Sequence, residues 1–194
     1  MNFPVNNRQP AYFDQDGGLL LAAVCYAARL HRLQRRKDAE KTPYINHPLE
    51  VAQLLWDGGV HRADVLAAAV LHDTLEDTSA TEQQLTEHFG VQVTGWVKEV
   101  TDDKTLPKAV RKRLQIEHAS LLSREAKLIK LADKISNITA IIETPPANWS
   151  LQRKREYLDW AQAVVDGLGE VNTRLLQQFH SILCRGRRVL AAGE

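Results

Sequence analysis

The densest chemistry in the chain lies in one stretch, Val70-Leu71-His72-Asp73-Thr74-Leu75-Glu76-Asp77. It places one imidazole and three carboxylates within six positions, directly after an apolar run from Ala63 to Leu71. Such a run reads as a buried helix, which closes its own backbone hydrogen bonds. If the helix continues, His72 and Glu76 share a face, Asp73 and Asp77 do likewise, and Asp73 and Glu76 are three apart. Acids crowded at the end of a core helix raise one another's pKa, and burial disfavours their ionisation. A divalent cation would offset that cost. The alternative is a solvated helix end on which acids cluster without one.

Two other places supply the same ligand chemistry. His47 stands before Pro48, and alone it would serve equally as a capping or core histidine. Asp133 lies within Ile129-Lys130-Leu131-Ala132-Asp133-Lys134-Ile135, apolar and cationic apart from itself. A buried aspartate there needs a partner, either a salt bridge to Lys130 or Lys134 or a metal ion. Together His47, His72, Asp73 and Asp133 make two imidazoles and two carboxylates. That set suits manganese, iron or zinc with positions left for water. Glu76 and Asp77 would then be free to take a proton or orient that water. On this reading, loss of Asp133 removes the metal and eases repulsion among the acids, so the metal-free protein keeps or gains stability.

The elements that must position these residues are helical throughout. Gly17 to Lys37 carries apolar residues at three- and four-residue spacings and ends in a basic tip. His47-Pro48 opens a second helix, which Gly58-Gly59 stops. The third is the apolar run itself. Thr81 with Gln84 forms a capping-box signature for a short helix closed near Gly90, and Val91 to Val100 is expected to be helical again. Asp102 to Leu106 is a loop, and Pro107 starts a basic helix. Ser123 caps a helix to about Ile141, Ser150 one to about Leu168, and a last helix runs from Asn172 to Cys184. With no alternating strand pattern and no repeats, the expected fold is a single all-α domain over 1–194, its core about 17–168. Residues 1–16 read as an N-terminal arm and 172–194 as a C-terminal helix and tail.

Composition excludes several classes of function. The chain has 194 residues, 25 basic and 24 acidic, for a net charge of +1, so no overall field favours nucleic acid or membrane. Of the local basic runs, Arg111-Lys112-Arg113 is read as a solvated helix face. No stretch approaches the roughly 18 apolar residues of a membrane span, and the N-terminal segment lacks a signal-peptide core. The two cysteines, Cys25 and Cys184, have no zinc spacing and read as small buried hydrophobes in a reducing, cytoplasmic setting.

The ordered set His47, His72-Asp73 and Asp133 resembles the H…HD…D pattern of the HD-domain metal-dependent phosphohydrolases. Arg36-Lys37, Thr42-Pro43-Tyr44-Ile45-Asn46-His47-Pro48, Leu71 to Asp77, Glu99 to Lys104, and Lys130 to Lys134 with Asn137 resemble its (p)ppGpp hydrolase branch, RelA/SpoT-type. Within that branch the chain is similar to the small stand-alone alarmone hydrolases of the metazoan type. Its length leaves no room for the synthetase and regulatory domains of the long enzymes.

The resemblance implies removal of the 3′-pyrophosphate from ppGpp or pppGpp, with one manganese ion per chain held by His47, His72, Asp73 and Asp133. It implies Glu76 and Asp77 as the proton-handling pair, Arg36 against the guanine with Lys37 nearby, Lys108 and Arg153 at phosphates, and Tyr157 near the ribose. Asn137, one turn beyond Asp133, would face the same site. Plainer roles stand beside these: Tyr157 and Trp160 as core, and Lys108 as a solvated helix start. Two other functions are compatible, an NADPH 2′-phosphatase and a non-catalytic alarmone-binding module. The expected partner is a small nucleotide, without nucleic acid or membrane. The sequence does not fix the oligomeric state, a dimer being one possibility.

Overall fold

A computed structural model describes residues 16–192, so the expected arm lies outside the described residues except for Asp16. In chain order the helices are α1 (Asp16–Leu30), α2 (Asn46–Asp57), α3 (Ala63–Leu71), α4 (Thr74–Asp77), α5 (Glu82–Val100), α6 (Lys108–Glu117), α7 (Arg124–Glu143), α8 (Leu151–Leu168) and α9 (Thr173–Ala191). Among the described residues there is no strand; Arg35 and Pro43 form an isolated bridge.

Two helices form the interior. Every residue of α3 except Asp64 is buried, and its three consecutive alanines, Ala67 to Ala69, let α1, α2 and α5 approach closely. The second is α7, whose expected apolar side of Leu128, Leu131, Ala132, Ile135 and Ile138 is buried against α2, α5, α8 and α9. Since α2 packs on both α3 and α7, the first turn of α2, the end of α3 and the middle of α7 meet. That junction decides where His47, His72-Asp73 and Asp133 lie.

Local chemistry sets most boundaries. Thr81 and Gln84 make both halves of a capping box at α5, and Ser123, Ser150 and Asn172 each accept a backbone N–H at the start of α7, α8 and α9. The expected break near Gly90 is a kink within α5, where Gly90 has φ 81° and ψ 165°, a conformation essentially restricted to glycine. Gly58 at the end of α2 is required for close approach: a Cβ there would lie 2.8 Å from Leu175 Cγ on α9.

Four expectations are corrected. First, α1 stops at Leu30 rather than Lys37. The chain doubles back, with Arg36 N–H donating to Thr42 C=O (2.9 Å) and Tyr44 N–H to Gln34 C=O (3.1 Å). Arg36 and Lys37 therefore sit on a loop, not a helix tip. Second, α3 does not run through the acidic stretch. The Thr74 hydroxyl donates to Leu71 C=O (2.6 Å) and His72 Nδ1 to Ala69 C=O (2.8 Å), so side chains satisfy carbonyls at the helix end and the backbone turns before α4. Third, α9 continues past Cys184 to Ala191. Fourth, Cys25 and Cys184 are exposed, on the outward faces of α1 and α9.

Candidate metal centre and nucleotide cleft

His47 and His72 are both buried, and each ring is held from behind. His72 Nδ1 donates to Ala69 C=O, and His47 Nδ1 lies 3.0 Å from the Ser136 hydroxyl, which itself donates to Glu50. Both Nε2 atoms are thereby turned toward one point. His47 Nε2 lies 3.1 Å from Asp133 Oδ1 and 3.7 Å from Asp73 Oδ2; His72 Nε2 lies 3.1 Å from Asp73 Oδ2 and 3.8 Å from Asp133 Oδ1. Ligand atoms of His47, His72 and Asp133 all fall within 4.8 Å of one another. Asp73 adjoins both imidazoles but also accepts the Tyr44 hydroxyl at 2.6 Å.

These residues fit a divalent ion. His72 Nε2 is buried without a well-aligned hydrogen bond, as a nitrogen reserved for a metal would be. Burial opposes charge on His72, but Asp73, then Asp133 and the Ala69 carbonyl, outweigh it and raise its pKa to about 9. Burial likewise opposes ionisation of Asp133, yet Lys134 and then His47 hold its carboxyl well below the ordinary range. The point between the four side chains favours positive charge.

Glu76 and Asp77 stand on α4 at the edge of the same cavity of about 300 Å³. Glu76 accepts Asp102 N–H at 3.1 Å and faces Arg111 Nη1 at 3.5 Å. Burial pushes its pKa up; the Asp102 N–H pulls the other way, and the charge of Asp102 adds to the rise. Asp77 pairs with Lys104, while its backbone carbonyl accepts from Gln34.

A second compartment of about 490 Å³ adjoins the first, sharing Lys37, Asp102, Gln115, Tyr157 and Trp160 as walls. It is lined by Lys37, Lys108, Arg111, Lys112 and Arg153, with Trp149 beside them. The Arg153 guanidinium lies over the Trp149 ring at 4.3 Å, and Lys112 Nζ over Trp160 at 4.7 Å. Burial, then Arg153, Lys37 and Arg111, lower the pKa of Lys108. Cations crowded against aromatic faces are suited to a phosphorylated, planar ligand.

The HD-domain family model matches residues 23–159. A Xenopus tropicalis protein named guanosine-3′,5′-bis(diphosphate) 3′-pyrophosphohydrolase MESH1 is 54% identical over 161 residues, 82% of this chain and 90% of the relative. The human protein of the same name is 54% identical over 157 residues, 80% and 88%. A solved structure, described as a metazoan orthologue of SpoT that hydrolyses ppGpp, superimposes with TM-score 0.84 at 43% identity, covering 86% of this chain and 94% of that one.

The chain belongs to the HD-domain family. Within it, the likeness is to the stand-alone MESH1 proteins.

In this HD domain, the residues read from the sequence divide into three groups. His47, His72, Asp73, Asp133, Glu76, Asp77, Asn137 and Tyr157 line the first compartment, and Lys37, Lys108, Arg153 and Tyr157 the second. Lys37 and Tyr157 touch both. Arg36 lines neither; its charge acts on Tyr157 from outside the walls. The two oxygens of Asp133 have different surroundings. Oδ2 meets Lys134 Nζ at 2.9 Å, while Oδ1 faces the imidazoles and accepts from Asn137.

Several site residues were not singled out by sequence. Tyr44, three positions before His47, bridges toward Asp73 and Asp77 (2.6 and 3.4 Å). Arg111 and Lys112 belong to the run read as a solvated face; instead they face the cleft, and only Arg113 points outward, at 65% exposure. Their signal was helical spacing: Lys108, Arg111, Lys112 and Gln115 fall on one side of α6. Of the two lysines the sequence offered to Asp133, Lys134 is the partner; Lys130 is buried, donates to Val100 C=O at 3.0 Å, and has its pKa lowered to about 8, first by burial and then by Lys134.

Proposed function

We propose that this protein removes the 3′-pyrophosphate from ppGpp and pppGpp, giving GDP or GTP and pyrophosphate. The observation that carries the reading is the continuity of the two compartments: a two-histidine, two-aspartate cluster opens directly into a cationic, aromatic cleft. The names of relatives with more than half their aligned residues identical support the same reaction.

His47, His72, Asp133 and Asp73 are the residues that would hold the ion, manganese by the family's habit. It would supply Lewis acidity to the scissile phosphoryl group and acidity to the attacking water. The rest is derived from the chain's own residues. Glu76, its pKa raised by burial, is suited to accept the proton of that water. Asp77, fixed through Gln34 and Lys104, orients or relays. Lys108, Arg111, Lys112 and Arg153 neutralise the substrate's phosphates, and the rings of Trp149, Tyr157 and Trp160 wall the nucleoside. Water adds at phosphorus, the bond to the 3′-oxygen breaks, and that oxygen leaves with a proton. No helix of the described residues is long and apolar enough to cross a membrane.

The test is incubation of manganese-loaded protein with ppGpp, pppGpp and NADPH, with products separated by anion exchange. Pyrophosphate with GDP or GTP is the expected result. Orthophosphate released from NADPH, with the guanine nucleotides untouched, would move the assignment to a 2′-phosphatase. Binding without any product would make the protein an alarmone-binding module.

A further inference from the structure

The two candidate histidine ligands are held in place by unlike devices. His72 Nδ1 donates to the Ala69 carbonyl at 2.8 Å, an acceptor that cannot become a donor. His47 Nδ1 instead meets the Ser136 hydroxyl at 3.0 Å, and that hydroxyl lies 3.0 Å from Glu50 Oε2. A hydroxyl has one hydrogen and can either give or take at the histidine. We propose that Glu50, acting through Ser136, selects the tautomer of His47 that can bind a metal ion. The inference rests on the metal-centre reading above and concerns residues that reading does not use.

The argument is one of donor accounting. An ionised carboxylate only accepts, so Glu50 draws the Ser136 hydrogen toward itself. The Ser136 oxygen then presents lone pairs to His47, and Nδ1 must carry the ring hydrogen. Nε2 then has its lone pair for an ion lying between it and Asp133 Oδ1 and Asp73 Oδ2; without an ion those oxygens, acceptors only, compete for the ring hydrogen. Without Glu50 the hydroxyl is free to turn and donate to Nδ1. The ring hydrogen would then sit on Nε2, 3.1 Å from Asp133 Oδ1, forming a His–Asp hydrogen bond where the ion should be. Glu50 thus biases a competition between the metal and an internal hydrogen bond. The placement follows from helix geometry. Glu50 lies one turn after His47 on α2, Ser136 one turn after Asp133 on α7, and the two helices pack together. Glu50 and Ser136 are positioning residues, not ligands.

The prediction is read on metal affinity and on the ring itself. Ser136→Ala and Glu50→Ala should each weaken manganese binding, measured by competition with a chelator, by about 10- to 100-fold, the usual effect of losing such a supporting partner. Glu50 is exposed, so its variant should fold as the parent does. The double variant should bind no more weakly than Ser136→Ala, because Glu50 acts only through that hydroxyl. Nitrogen-15 spectra of the metal-free protein should show a larger share of the Nδ1–H form of His47 in the parent than in Glu50→Ala. Unchanged manganese affinity in Glu50→Ala, an additive further loss in the double variant, or an unaltered His47 tautomer would each overturn the proposal. Failure of manganese to bind the parent protein would instead remove the metal-centre reading on which it stands.

Discussion

One end of the cleft is lined by the carboxylates Asp73, Glu76, Asp77 and Asp133, with Lys130 and Lys134 among them; the other is lined by the cations Lys108, Arg111, Lys112 and Arg153, with Glu156 among them, and Lys37 and Asp102 border both. The two ends also differ in construction. The acidic end draws on the first turn of α2, the α3–α4 junction and the middle of α7, and its histidines are 2% and 5% exposed. Each of its groups is fixed by a hydrogen bond to a second group, as Ser136, Ala69 and Tyr44 show. The basic end draws on α6, α8 and the loop before α2. Lys108 and Arg153 are exposed there, and Arg153 and Lys112 are steadied mainly by ring faces. A reacting centre needs groups held in advance, whereas a phosphate-binding rim works with solvated, adjustable cations. Chemistry should therefore fail at one end and affinity at the other.

The largest break should come from Asp133. Asp133→Ala is expected to eliminate both manganese, measured by elemental analysis, and turnover. It should also destabilise the metal-free protein, against the expectation of relieved repulsion. Lys134, at 3% exposure, loses its 2.9 Å partner, and breaking a buried pair typically costs about 3–5 kcal/mol. Denaturant unfolding of metal-free parent and variant distinguishes the two signs: a rise in the midpoint would mean that acid repulsion dominates.

Next comes Glu76. Glu76→Gln should retain manganese and lower turnover by about a hundred- to ten-thousandfold, the range for lost general base help. Because burial raises the Glu76 pKa, the parent's rate should fall with decreasing pH at a point above the ordinary carboxylate range. The sign follows from the base being competent only when deprotonated. The variant should lack that limb, and an identical limb in both proteins would assign it elsewhere.

Smaller effects belong to the basic end. Arg153→Ala, in a Glu76→Gln background so that ppGpp survives the titration, should weaken binding by about ten- to a hundredfold, as for a charged hydrogen bond. Calorimetry should show that difference shrinking as salt is added. The smallest effect is expected for Arg36→Ala, since Arg36 lines neither compartment. A loss equal to that of Arg153→Ala would mean that the loop carrying Arg36 reaches the base.

What was legible in the sequence followed the range of the forces involved. The caps at Thr81, Ser123 and Ser150 depend on three or four neighbouring residues and read directly; Asn172, read only as the start of the last helix, is its cap. His47, His72, Asp73 and Asp133 stand out because histidine and aspartate in apolar surroundings demand partners. The end of α1 was not legible, because the hydrogen bonds that turn the chain back run from Gln34 and Arg36 to Tyr44 and Thr42. Neither was the direction of Arg111 and Lys112: a long cation is stable in water or over a ring, and only the packing of α6 against α8 places Trp160 beneath Lys112. That Asp133 turns one oxygen to Lys134 and the other to His47 was not legible either, because it depends on the packing of α7 against α2.

The division of the cleft is tested most directly by steady-state kinetics of Glu76→Gln and Arg153→Ala with ppGpp, measured side by side on manganese-loaded protein. The account predicts that Glu76→Gln loses kcat with KM nearly unchanged, and that Arg153→Ala raises KM with kcat largely preserved. Equal losses of kcat in both variants, or the reverse assignment, would contradict it.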